Sequence, residues 1–175
     1  MGLFDAAVEV RRNLGRLNDL IHATAILLVL PQILEEGERV VVKPSLAAGN
    51  SPAHPYDLET NLRVAEFKLG QWKGADAMRK RQVFKDLVHL AADDSGREPH
   101  LYLVGQLPVA FLTASDSTAE WALDRHPKTR ALFAARLGPL TMKIAEFTSG
   151  PASRVRISDL TAYLPALAEL AGNLE

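Results

Sequence analysis

The sequence of 175 residues contains no cysteine. This absence excludes a disulfide scaffold, thiolate metal ligands and thiol redox chemistry. It also favours a reducing compartment, so we expect a cytoplasmic protein. The length fits one domain, 1–175, which buries about two-thirds of the surface of its unfolded chain.

A hydrophobic run long enough to span a membrane is also missing. The most apolar stretch, residues 21–34, is interrupted by His, Thr, Pro and Gln, whereas a spanning helix needs about 20 apolar residues. The acidic Asp5 and Glu9 upstream do not suit a signal peptide, and we expect no membrane partner. The formal net charge is −1, so nucleic-acid binding would depend on local clusters of Lys and Arg.

The motifs of several common enzyme classes do not occur either. The sequence has no G-x-S-x-G, no Walker A motif and no G-x-G-x-x-G, so hydrolase-triad, nucleotidase and dinucleotide-binding functions have little support. Its five histidines show neither H-x-x-H nor H-E-x-x-H spacing, and we expect no zinc site.

What the sequence does contain is a succession of helical and strand patterns. Apolar spacing predicts a helix over about the first 36 residues, with its second half buried all round. Pro31 should kink that helix near its end, and Gly37 is a suitable stop. Residues 39–43 are a candidate strand, and residues 44–54 read as a loop.

A hairpin and a further helix follow. Residues 55–59 and 62–69 are predicted as two strands joined by a turn at Thr60-Asn61. Residues 75–92 form the clearest amphipathic helix, and residues 101–104 a short buried strand. Further α/β elements complete the chain. The order predicts an α/β fold with a mixed β-sheet flanked by helices on both faces.

Charged side chains lie in both strands of the predicted hairpin. Because residues two apart share a face of a strand, Glu66 and Lys68 point the same way. With a two-residue turn, Asp57 pairs with Val64 and lies diagonal to Glu66, roughly 5.5–8 Å away between Cβ atoms. Two carboxylates so placed can bind one Mg²⁺ and help to activate a water, with Lys68 beside the developing charge.

With Asp57 and the tripeptide Glu66-Phe67-Lys68, the sequence resembles the PD-(D/E)XK nuclease superfamily. The resemblance spans about residues 14–105 and implies a restriction-endonuclease-like core of a helix, a three-strand meander, a helix and a strand (α-β-β-β-α-β). Residues 106–175 would then form a C-terminal extension of mixed helices and strands.

The resemblance also implies roles for individual residues. Asp57 and Glu66 become ligands of Mg²⁺ or Mn²⁺, the carbonyl of Phe67 a further ligand, and Lys68 the catalytic lysine. Asp19 on the first helix is the best candidate for the additional helical acid that the family often carries.

A basic cluster follows the hairpin on the amphipathic helix. Arg79, Lys80, Gln82 and Lys85 are candidate contacts for phosphates, which supply most of the affinity for nucleic acid. The expected function is therefore a magnesium-dependent endonuclease that hydrolyses DNA, or RNA, in restriction, phage defence or repair. A nuclease of this size is expected to act as a homodimer or within a larger complex.

Other interpretations of the same residues remain open. The charged hairpin can be an exposed structure with a cross-strand Glu–Lys pair, worth about 0.2–1 kcal/mol. The basic residues can form a solvated helix face. At the level of the whole protein, the alternative is a catalytically inactive, nuclease-like module for nucleic-acid binding or assembly.

Overall fold

The computed structural model describes residues 2–42, 55–70, 72 and 76–168. Within them the elements are, in chain order, α1 (Leu3–Ile33), β1 (Val40–Val42), β2 (Leu58–Thr60), β3 (Arg63–Lys68), α2 (Ala77–Ala91), β4 (Glu98–Leu103), α3 (Gln106–Ala114), α4 (Ala119–Ala122), α5 (Pro127–Arg136), α6 (Ile144–Ser149), β5 (Arg156–Asp159) and a 3₁₀ turn (Leu160–Ala162). The predicted loop at 44–54 lies outside the described residues.

The five strands form one mixed sheet in the order β1-β2-β3-β4-β5. β1, β2 and β3 are antiparallel neighbours, whereas β3, β4 and β5 run parallel. The parallel step from β3 to β4 requires a crossover, and the amphipathic α2 supplies it. The predicted α/β class with a mixed sheet is confirmed.

Helices cover both faces of the sheet, as predicted. On one face, Ile26, Val29 and Ile33 of α1 pack against Phe67 and Tyr102. On the other face, α2 buries its apolar side against β3 and β4, and α3 to α6 extend the same core through Leu112, Leu123, Phe133, Phe147 and their neighbours. The sheet therefore lies between two hydrophobic layers, and the ends of its central strands open between α1 and α2.

The prediction that the second half of α1 is buried all round is wrong. Ile26 and Val29 are fully buried, but the adjacent Leu27 and Leu28 are 56% and 55% exposed. The helix rests on the sheet through one side only, because α-helical periodicity turns successive residues by about 100°. Pro31 lies in the last turn, and the helix ends at Ile33. No helix among the described residues has the length and apolar character that crossing a membrane would require.

The turn between β2 and β3 differs from the one predicted. Glu59 pairs with Val64 and Leu58 with Ala65, so the register is shifted by two residues and the pairing of Asp57 with Val64 is wrong. The Thr60 hydroxyl accepts hydrogen bonds from the amides of Leu62 and Arg63, which moves the turn forward along the chain. A shift of two residues leaves every side chain on its predicted face.

A buried arginine connects the strands to the end of α1. The guanidinium of Arg63 donates to both carboxylate oxygens of Glu38, at 2.5 and 2.6 Å, and to the Tyr102 hydroxyl at 3.1 Å. The same carboxylate accepts a hydrogen bond from Thr60. Both members of the ion pair are buried, and the hydrogen bonds offset much of the cost of removing two charges from water.

Candidate functional site

The carboxyl end of β3 carries the two predicted site residues Glu66 and Lys68. Strand alternation places both on the α2 side of the sheet, together with Val64. Continuing the observed β2–β3 register places Asp57 level with Glu66. Asp57 precedes β2, and its Oδ2 accepts a hydrogen bond from the amide of Phe67 at 2.9 Å. The strand pairing and this side-chain bond together bring Asp57 to the end of β3.

Glu66 and Lys68 form a buried ion pair that includes a third residue. The Lys68 ammonium lies 2.9 Å from Oε2 of Glu66 and 3.0 Å from Oδ2 of Asp86 on α2. Glu66 and Asp86 are each only 4% exposed. This burial contradicts the interpretation of an exposed hairpin with a surface Glu–Lys pair.

His22 of α1 contacts the carboxyl end of β3 from the other side of the sheet. Its Nε2 lies 3.0 Å from the carbonyl oxygen of Phe67 and 3.5 Å from Oδ2 of Asp57. The hydrogen bond with Asp57 is the largest influence on its imidazole and raises the pKa of His22 above its usual value. His22 therefore contacts two of the oxygens to which the family resemblance assigns a metal ion.

The surroundings shift the pKa values of the Glu66 and Asp57 carboxyl groups in opposite directions. Burial, reinforced by the charges of Asp57 and Asp86, raises the pKa of Glu66 to about 8, although Lys68 opposes the shift. Burial would also raise the pKa of Asp57, but the hydrogen bond with His22 and the charges of Lys68 and His22 outweigh it, so that pKa is lowered.

Three carboxylates surround the single ammonium of Lys68. Burial alone would lower the pKa of Lys68, but Asp86, Glu66 and Asp57 together raise it. Lys68 is therefore charged at neutral pH. Glu66 is protonated there, so a cation that binds to its carboxyl group would have to displace this proton.

A cleft of about 450 Å³ opens beside this cluster. Its walls come from α1, from the end of β3 and from α2, and its lining includes Asp19, His22, Lys68, Trp72, Arg79 and Gln82. Lys68 lines the cleft and also contacts the buried acids, so it lies between the cleft and these acids. Asp19, the predicted helical acid, lies in the cleft wall.

The oxygen donors are of the type that suits Mg²⁺ or Mn²⁺. Asp57, Glu66 and the carbonyl of Phe67 are hard ligands, and Mg²⁺ commonly takes one or two carboxylates and keeps several waters. Among the described residues, no group of three or more His, Asp or Glu side chains is arranged to hold a metal ion. The donors that the resemblance names, two carboxylates and a main-chain oxygen, are of a chemical type that suits such a cation.

The predicted nucleic-acid contacts on α2 separate into two groups. Arg79 and Gln82 line the cleft, and Gln82 donates to both carboxylate oxygens of Asp86 at 3.1 Å. Lys80 lies elsewhere on the helix, with its ammonium 5.7 Å from the centre of the Phe111 ring. Lys85 lies 3.9 Å from Asp86 and lines a different depression. The structure thus brings two of the four residues to the cleft.

Two residues of the site were not predicted from the sequence. Asp86 is not among the predicted site residues, although it sits next to the buried Leu87 of an amphipathic helix. His22 is not among them either. An acid bordering the buried face of a helix was the available signal for Asp86, whereas only the tertiary structure places His22 beside Asp57.

The chain matches no protein-family model, no curated protein and no solved structure.

Proposed function

We propose that this protein is a metal-dependent nuclease that hydrolyses phosphodiester bonds of DNA. The observation that carries the proposal is the convergence of Asp57, Glu66 and Lys68 at the ends of two neighbouring strands, beside a solvent-open cleft. The three side chains come from one hairpin. Lys68 is part of the cleft lining and also contacts the acids.

The order of the elements supports the same proposal. From α1 to β4 the chain follows a helix, three antiparallel strands, a helix and a parallel strand. This order agrees with the α-β-β-β-α-β core that the resemblance to PD-(D/E)XK nucleases implies, and it supports the proposal. We assign residues 14–105 to this core and residues 106–175 to an extension that thickens the hydrophobic layer on the α2 side.

The residues of the site have complementary roles in the proposed reaction. Asp57, Glu66 and the carbonyl of Phe67 would hold a divalent cation, which would supply activation of a water and partial neutralisation of the phosphate charge. Lys68 orients the attacking water and stabilises negative charge that develops on the phosphate oxygens. Asp86 of α2 pairs with the Lys68 ammonium at 3.0 Å and holds it in position.

The cleft provides contacts for the flanking nucleic acid. Arg79 is half-exposed and paired with Asp76 at 2.7 Å, so its other guanidinium nitrogens can donate to a phosphate. Trp72 packs against Phe111 and also lines the cleft, where an aromatic face can stack on a base. Arg79 and Trp72 therefore bind the strand on either side of the scissile bond in this proposal.

The proposal predicts that Glu66→Gln and Lys68→Ala each reduce Mg²⁺-dependent cleavage of DNA by about 100-fold or more. Glu120→Gln and Lys143→Ala are matched controls, because both side chains form exposed ion pairs, with Arg130 and Asp116 respectively. Cleavage is measured on single- and double-stranded DNA, and circular dichroism checks that each variant folds. Full activity in a folded Glu66 or Lys68 variant would reject the assignment.

A second candidate function is a nuclease-like module that binds nucleic acid without cutting it. The burial of Glu66 and the engagement of Lys68 by two carboxylates favour it, because an ion-paired cluster is stable without a metal. Calorimetry with Mn²⁺ distinguishes the two functions. Salt-sensitive DNA binding without any Mn²⁺ binding or cleavage would support the binding module.

A further inference from the structure

The long helix α1 has two apolar sides, and the sheet covers only one of them. Ile26, Val29 and Ile33 are buried against the sheet. On the side turned away from the sheet, a second set of apolar residues is 45–91% exposed. We call this set the outer stripe; it consists of Leu3, Val10, Leu14, Leu17, Ile21 and Leu28.

The spacing of the outer stripe is that of a coiled-coil seam. Its members are separated by three, four or seven residues throughout, and the exposed Thr24 occupies the one vacant heptad position between Ile21 and Leu28. A repeat of 3.5 residues keeps an apolar seam facing a partner helix along its whole length. The side packed on the sheet does not need such a repeat.

The apolar surface on this side is large enough for a stable interface. Leu20 and Leu27 flank the outer stripe and are themselves about half-exposed. With them, the stripe exposes on the order of 800 Å² per copy, which is what each partner contributes to an interface of standard size. A monomer rarely exposes so much contiguous apolar surface.

A second copy of the same chain fits this surface better than a lipid surface does. Over residues 3–28 the helix carries three acidic and three basic residues, so it lacks the basic polar face that draws amphipathic helices to anionic membranes. A heptad seam, in contrast, is complementary to itself, because equivalent positions interdigitate in a symmetric pair.

We propose that the protein is a homodimer in which the outer stripes of two α1 helices pair as a coiled coil. Ile21 belongs to the outer stripe and also lines the cleft. Pairing therefore places one edge of each cleft next to the interface, while the Asp57–Glu66–Lys68 cluster stays on the other side of the helix. The proposal does not depend on the nuclease chemistry.

A matched pair of substitutions tests the stripe. Val10 and Val8 are two residues apart and both exposed, but they point in directions about 200° apart around the helix. We expect the wild-type chain to have twice its monomer mass of 19.1 kDa in sedimentation at micromolar concentration. The double variant Val10→Glu/Leu17→Glu should weaken dimerisation at least tenfold, whereas Val8→Glu should leave it unchanged.

Cross-linking provides a second readout, because the chain has no native cysteine. A single Leu17→Cys substitution near the middle of the stripe should give a disulfide-linked dimer on mild oxidation, and Val8→Cys should not. Circular dichroism establishes that each variant remains folded. A monomeric wild type, equal effects of Val8→Glu and the double variant Val10→Glu/Leu17→Glu, or a monomer that binds phosphatidylcholine vesicles would overturn the proposal.

Discussion

Glu66 has the most unusual environment of any single residue in the site. Its carboxyl group is almost completely buried and has two other carboxylates nearby, with Lys68 as the one compensating charge. The fold therefore disfavours the ionised form, and the pKa is raised from 4.5 to about 8. Burial of this carboxyl group therefore weakens the fold at alkaline pH, where the group ionises.

The raised pKa of Glu66 predicts a pH-dependent stability. Between pH 4.5 and about 8 the folded state holds a proton that the unfolded state releases, so the free energy of unfolding falls as the pH rises through this window. Glu66→Gln removes this dependence, which amounts to on the order of 5 kcal/mol across the window.

Urea unfolding at a series of pH values measures this effect through the slope of stability against pH. Glu98→Gln is the control, because Glu98 is more than half-exposed in its pair with Arg156. Parallel curves for the wild type and Glu66→Gln would show that Glu66 titrates normally in the folded protein.

At the scale of elements, the pair of Arg63 and Glu38 connects β3 to the segment after α1. Glu38 holds the guanidinium from the chain between α1 and β1, and Tyr102 holds it from β4. These contacts of Arg63 thereby fix the start of β3 against two other segments. Since Glu66 and Lys68 lie on the same strand, the pair also contributes to the position of the site.

We expect Arg63→Ala to destabilise the fold by about 3–5 kcal/mol, because it leaves the buried Glu38 carboxylate without its partner. Arg156→Ala is the matched control. Arg156 pairs with Glu98 on the surface at 3.0 Å, and loss of an exposed pair costs about 0–1 kcal/mol. Denaturant unfolding of both variants gives the comparison, and equal losses would contradict the role assigned to the buried pair.

At the scale of the whole molecule, folding and cation binding should be coupled. The candidate ligands come from the end of β3 and from the residue before β2, and the cleft beside them is lined by α1 on one side and α2 on the other. The unfolded chain does not bring these groups together. A ligand that binds only the folded state stabilises it by about 2.7 kcal/mol at 100 times its dissociation constant.

The proposed site therefore predicts that Mn²⁺ raises the midpoint of thermal unfolding. The effect should grow with pH up to about 8, the raised pKa of Glu66, since a ligating carboxylate must first lose its proton. Asp57→Asn should abolish the shift, and the exposed-residue variant Asp116→Asn should retain it. A shift that is independent of pH, or equal in both variants, would argue against these ligands.

Several features of the fold follow from the sequence alone because they depend on local periodicity. The apolar face of α2 and the alternation along β3 need only the geometry of a helix and a strand. They predicted the mixed α/β class and the common face of Glu66 and Lys68. The roles given to Asp57, Glu66 and Lys68 stay predictions, which the convergence of these side chains supports.

Only the tertiary structure decided the features that depend on contacts between distant segments. The Thr60 hydroxyl set the register of the hairpin, and the packing of α1 and α2 brought His22 and Asp86 to the two sides of β3. Likewise, the hydrophobicity of the second half of α1 predicted that it would be buried all round, but a sheet covers only the side of a helix that faces it. A sequence specifies which residues are apolar or charged, whereas the partner of each one is fixed when the layers pack.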